Sequence, residues 1–145
     1  MTPDSDNREA NESFDADYEV EVEVRLRDVD FMGHVNNATY ATYLEQAREA
    51  FFTDVFGTSL VDLDTVLANV ELNYERPIEA DATVIIALAI GELGTASLPM
   101  RYEIRADGVC AATASTVQVF IDRESEQSRP IPDAWRTQLE QYQLE

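Results

Sequence analysis

Apolar and polar positions alternate most strictly over Tyr18 to Arg27, YEVEVEVRLR. Val20, Val22, Val24 and Leu26 share one face; Glu19, Glu21, Glu23, Arg25 and Arg27 share the other. A period of two predicts a half-buried strand. The period then changes. Tyr40, Tyr43, Leu44, Ala47 and Phe51 recur at helical spacing and predict one long helix. Asn36 or Asn37 is placed to cap it, and Gly57 to end it or follow its end. Ala38, Ala41 and Phe52 lie off that stripe, so the helix is expected to be enclosed by a sheet or a partner.

Four strand-like runs follow. Val66, Ala68, Val70, Leu72 and Tyr74 alternate up to Arg76-Pro77. Thr83 to Ile90 is almost continuously apolar, the pattern of a central strand covered on both faces. Leu98, Met100, Tyr102 and Ile104 alternate, and Ala106-Asp107-Gly108 reads as a hairpin turn into the long run Val109 to Ile121. Pro130 and Pro132 precede a short helix from Asp133 to Gln143. The order is strand, long helix, four strands, short helix. It predicts an α+β fold in which an antiparallel sheet wraps one amphipathic helix.

Composition adds the setting. The 145 residues suit one domain, taken as residues 18–145, behind a polar, acidic and disordered arm over 1–17. No run nears the roughly 18 apolar residues of a membrane span. The N-terminus lacks the basic and apolar regions of a secretory signal. Cys110 is the single cysteine, so no disulfide framework is possible within the chain, and a cytoplasmic location is expected. The formal net charge is -19, and all 10 basic residues are arginine. Such a field repels nucleic acid and anionic membranes, which excludes both as partners. The composition resembles that of cytoplasmic proteins from salt-accumulating, halophilic cells. At molar salt the Debye length is roughly 3 Å, so the carboxylates repel each other little beyond contact.

Several chemistries are excluded by what is missing. One His and one Cys cannot build the usual structural zinc site, and no metal ligands are assigned. Gly91-Glu92-Leu93-Gly94 lacks the rest of a phosphate-binding loop, and no G-x-S-x-G elbow is present. The segment RDVDFMGHVNNATY, residues 27 to 40, remains. It places a carboxylate, Asp28 or Asp30, at a strand end, just before the free N–H groups of a helix start. Those N–H groups can hold a carbonyl oxygen as it becomes an oxyanion. The carboxylate can attack that carbonyl or activate a water. Gly33 lets the loop turn and a ligand approach the backbone. The same residues also have plain structural uses. Either aspartate can cap a turn, His34 can be a hydrogen-bonding loop residue, and the asparagines can be helix caps. Glu45 and Arg48 read as an i, i+3 pair worth about 0.2–0.5 kcal/mol.

The motif as a whole is longer. Asp28-x-Asp30, Gly33-His34-Val35-Asn36-Asn37-Ala38, then Tyr40, Tyr43, Glu45, Ala47 and Arg48 resemble the hotdog-fold acyl-CoA thioesterases of the 4-hydroxybenzoyl-CoA thioesterase type. Asn73 to Ile78 resembles that family's strand after the helix, and the likeness covers about residues 18 to 141. The resemblance implies a five-stranded antiparallel sheet around a long central helix, assembled as a homodimer or homotetramer with active sites at the dimer interface. It implies an acyl-CoA substrate and no cofactor. Asp30 takes the place of the catalytic aspartate, and the Asn37 N–H that of the oxyanion donor. Gly33, His34, Val35, Asn36 and Tyr40 would shape the loop and touch the acyl thioester. Met32 departs from related plant acyl-carrier-protein thioesterases, which have an asparagine there. Two rivals use the same fold: an enoyl-CoA hydratase or acyl dehydratase working through Asp30 and His34, and a non-catalytic acyl-CoA-binding protein.

Overall fold

The computed structural model describes residues 14–59 and 62–143. Residues 1–13 of the expected arm lie outside the described residues. At its end, Asp17 is placed against the sheet: its N–H donates to the Leu88 carbonyl at 2.8 Å, and its carboxylate accepts the Ile90 N–H at 2.8 Å. The elements are β1 (Tyr18–Val22), α1 (Thr39–Phe56), β2 (Thr65–Tyr74), β3 (Val84–Ile90), β4 (Ser97–Ala106), β5 (Val109–Phe120) and α2 (Asp133–Gln143). The strands form one sheet in the order β1-β3-β4-β5-β2, antiparallel throughout. With the long α1 against its inner face, this is the hotdog fold.

The apolar stripe of α1 is buried as its spacing requires. Tyr40, Tyr43, Leu44, Ala47 and Phe51 are at most 1% exposed, and Phe52 joins them. They meet the inward residues of the sheet, among them Ile86, Leu88, Met100, Ile104 and Ala112. Each large side chain so buried contributes about 1.5–3 kcal/mol. Gly57 caps α1 with φ 70°, a left-handed turn that glycine adopts without a Cβ penalty. Trp135 and Tyr142 fasten α2 to the far half of α1, with ring centroids 4.4 Å from Phe56 and 5.7 Å from Phe51. Asp107 and Gly108, both at positive φ, close the β4–β5 hairpin, as a two-residue turn between right-twisted strands demands.

The period misleads in two places. The first strand ends at Val22, and Leu26–Asp28 is a 3-10 turn that leaves Leu26 91% exposed. The ladder stops where β3 begins, at Val22↔Val84, and the Asp28 carboxylate then holds the turn by accepting the Arg25 N–H at 2.8 Å. Strand β3, by contrast, is buried along almost its whole length and on both faces, as its apolar run predicts. On its outer face Ala87 lies between Glu19 and Glu103 in the register, beneath the Arg105 guanidinium that bonds both glutamates. In β2 the register shifts between Leu67 and Asn69. This bulge returns Leu67 to the inner face beside Leu72 and Val70, and turns Val66 outward.

Candidate active site

The chain between β1 and α1 folds back on itself as a small hairpin. Val29 bridges Val35, and the Asn36 N–H donates to the Asp28 carbonyl at 2.8 Å. Asp30 and His34 close the tip, the Asp30 N–H donating to the His34 carbonyl at 2.7 Å. Asp30 Oδ1 accepts two further N–H groups, from Met32 at 2.9 Å and His34 at 3.2 Å. The turn-capping use is therefore real, and it occupies one carboxylate oxygen; no partner of Oδ2 is found among the described residues. Gly33 has φ +84°, and a Cβ there would meet nothing within 4 Å. Its role is conformational, with open space beside it. The hairpin is tied to the segment before β3: Val35 N–H donates to Ile78 O at 2.8 Å and Ala80 N–H to Gly33 O at 3.1 Å.

Asp28 has a different task. Its Oδ2 also accepts the Tyr43 hydroxyl at 2.8 Å, and burial, then that bond, push the Tyr43 phenol well above its ordinary value. Asp28 thus pins the loop to α1. His34 Nε2 lies 3.2 Å from the Glu79 carboxylate, so its ring is engaged away from Asp30. Val35 is core, 2% exposed.

The helix starts one residue later than the asparagines suggest. Its N-cap is Ala38, which has no capping side chain. Asn36 does the capping from outside: its Oδ1 accepts the Ala38 N–H at 2.9 Å and its carbonyl the Thr39 N–H at 2.9 Å. The Asn37 carbonyl takes the Tyr40 N–H at 3.3 Å. The Asn37 N–H has no acceptor among the described residues, and Asn37 is exposed.

Beside it opens a cavity of about 260 Å³ lined by Asn37, Tyr40, Tyr74, Glu75, Arg76 and Pro77. Tyr74 donates to the Asn37 carbonyl at 3.0 Å and packs edge-on against Tyr40 with centroids 4.9 Å apart. Burial raises the Tyr40 phenol above its ordinary value, which keeps it neutral, and its hydroxyl faces the Arg76 carbonyl at 3.4 Å. Three larger clefts are lined by other residues, with carboxylates among them: Asp15, Asp17 and Glu92 in one, Glu21, Glu23 and Asp81 in another, and Asp133 in the third. Sequence reasoning missed Tyr74 and Arg76 as site residues. Their signal was the break of alternation at Arg76-Pro77, directly opposite the helix start once β2 is laid in the sheet.

Arg48 is also not what its spacing suggested. It makes no ion pair with Glu45, which is exposed. It is 4% exposed, and its Nη1 donates to the Tyr102 hydroxyl at 3.3 Å.

Residues 24–139 match the model of the thioesterase-like superfamily. A thioesterase from Thermus thermophilus, crystallised with coenzyme A and zinc, superimposes with a TM-score of 0.78 at 33% identity, over 88% of this chain and 95% of that one. The long-chain acyl-CoA thioesterase FadM of Escherichia coli is 27% identical over 85% of this chain and 97% of its own length. A DHNA-CoA thioesterase from Staphylococcus aureus, 22% identical over 87% of this chain and 90% of its own, shares the fold with a TM-score of 0.79. The chain belongs to the thioesterase-like superfamily and is, by class, a thioester hydrolase. No described helix is long and apolar enough to cross a membrane.

Proposed function

We propose that this protein hydrolyses acyl-CoA thioesters to a free acid and coenzyme A, with Asp30 as the catalytic carboxylate and the Asn37 N–H as oxyanion donor. The observation that carries the reading is the Asn37 N–H, without an acceptor among the described residues, exposed beside a cavity just before the helix and following a carboxylate-tipped hairpin. The thioester carbonyl oxygen is held on that N–H, where the helix dipole favours the negative charge that develops. Asp30 Oδ2 either takes a proton from the attacking water, or attacks the carbonyl carbon to form a mixed anhydride that water then hydrolyses to the free acid and the aspartate; in both routes the C–S bond breaks, and the thiolate leaves and is protonated. Gly33, His34 and Asn36 hold the loop, and Tyr40 with Tyr74 walls the acyl entrance. The hydratase reading needs His34 turned to Asp30, and the His34–Glu79 contact weighs against it.

The same reading takes the working unit as a homodimer joined along β2, in a salt-adapted cytoplasm. That edge carries Val66, Leu67, Val70 and Tyr74 at 40–48% exposure. An open, apolar edge of this length is a template for another strand. Thiol release from a panel of acyl-CoAs in molar potassium chloride tests the activity. Asp30→Asn is expected to keep the fold and lower kcat by at least about a hundredfold. Turnover retained in that variant sinks the assignment, and tight acyl-CoA binding without turnover by the wild type supports a binding protein.

A further inference from the structure

Two buried side-chain atoms lack any hydrogen-bond partner among the described residues: Arg48 Nε and Gln118 Oε1. They belong to one surface. Thr116 and Gln118 are neighbours on the inner face of β5, at 1% and 4% exposure. The Arg48 guanidinium reaches that surface through Tyr102, whose hydroxyl lies 2.6 Å from Thr116 Oγ1. Gln118 Nε2 donates to Thr65 Oγ1 at 2.9 Å, which leaves its carbonyl oxygen idle. No carboxylate lies within 4.0 Å of Arg48 among the described residues. A buried cation left unpaired costs several kcal/mol, so this one points to an absent acceptor.

Its position says which. Ala41, Glu45, Arg48 and Phe52 form one row of α1, on the opposite flank from Tyr43 and Asp54, which face Asp28 and Tyr18 near β1. Across from that row is β2, whose inner face is open: Val70 pairs with Thr116 and Leu67 with Gln118, and both stand 40–45% exposed. Tyr74, Leu72 and Val70 continue this wall from the Asn37 cavity toward Arg48. Along α1, Asn37 to Arg48 spans about 16 Å, the reach of a medium acyl chain. The wall is apolar until it meets the cation.

Resting on the thioesterase reading, we infer that Arg48 ends the acyl groove and selects acyl groups whose far terminus carries an oxygen acceptor, a carboxylate above all. An anion there completes the guanidinium's bonding and frees it from an unpaired state, whereas a methyl terminus leaves it unsatisfied.

The test compares thiol release from medium-chain acyl-CoAs of equal length ending in methyl, hydroxyl or carboxylate. The wild type is expected to favour the carboxylate by about tenfold or more in kcat/KM, with the hydroxyl between, since a site built for a polar group rejects a partner that lacks it. Arg48→Met, close in volume, is expected to collapse that ratio, and Arg48→Lys to keep part of it. Equal rates in the wild type, or an unchanged ratio in Arg48→Met, overturn the inference while leaving the thioesterase reading intact. So does Arg48→Met dissociating the oligomer with no change in ratio, which would mean the cation serves a partner's carboxylate. Thermal unfolding separates the two ideas. The free dicarboxylic acid is expected to raise the Tm of the wild type and not of Arg48→Met, even if no acyl-CoA is turned over; no shift in either, with the methyl- and carboxyl-ended substrates turned over alike, rejects the groove end.

Discussion

At one edge of the sheet, β1 is 5 residues long, turns Glu19 and Glu21 to solvent, and is held to α1 by Tyr18, which packs on Phe51 and hydrogen-bonds Asp54. At the other edge, β2 is 10 residues long, carries exposed valine, leucine and tyrosine, and meets α1 at its Tyr74 end, where Tyr74 packs on Tyr40. Both strands are antiparallel to one neighbour and unpaired on the other side, and they alternate similarly in sequence. The difference is what stands over them. Short, charged and pinned, β1 has the devices that keep an edge solitary. The long β2 has a bulge at Leu67–Asn69 and one charge, Glu71, beside its exposed apolar residues, and the candidate active site opens at its Tyr74 end.

Three changes break or sharpen that contrast. Val70→Asp places a charge in the middle of the open edge. Burying it in a strand-paired interface costs about 3 kcal/mol or more, a factor of about a hundred in dissociation. Sedimentation is expected to show monomers, with turnover falling in step; Glu21→Gln on β1 is expected to change neither. An unaltered assembly in Val70→Asp removes β2 as the joint. Next is Gly33→Val, in the hairpin that links β1 to the helix. With φ +84° and no clash for a Cβ, its cost is backbone strain of about 1–3 kcal/mol in denaturant unfolding. Gly33→Asn is expected to lose less, because asparagine tolerates the left-handed region; equal losses would point to crowding instead.

The smallest effect lies at the closed edge. Burial first, then the bond to Asp54, push the Tyr18 phenol up to about 12. A proton held more tightly in the folded than in the unfolded state stabilises the fold fully below the unfolded value near pH 10. That contribution is lost as pH rises from 10 through 12. Urea midpoints are expected to fall over this window, and less steeply in Tyr18→Phe. A decline equally steep in both would place the alkaline weakness elsewhere, with Tyr43 as the next phenol to examine.

Much of the fold was legible in the chain because periodicity reports burial directly. The α1 stripe, the Asp107-Gly108 hairpin and the Gly57 cap stand where pattern and glycine geometry put them. The failures share a cause: local side-chain bonding and strand order are not periodic properties. β1 ends where its partner β3 begins, and Asp28 turns the following residues by accepting the Arg25 N–H. The β2 bulge moved Val66 to the other face. In the site, the motif marked Asp30 and the asparagines, but cap and donor differ: Asn36 caps, and Asn37 keeps a free N–H.

The sequence alone determined the elements, the α+β class and the hairpin-to-helix segment, because each depends on residues close along the chain. The tertiary structure decided which sheet edge stays open, because that depends on where α1 lies across the strands. It also decided that Tyr74 and Arg76 meet Asn37, and that Arg48 is buried with no carboxylate partner among the described residues. Those outcomes join residues far apart in sequence, and only the packed sheet and helix bring them together.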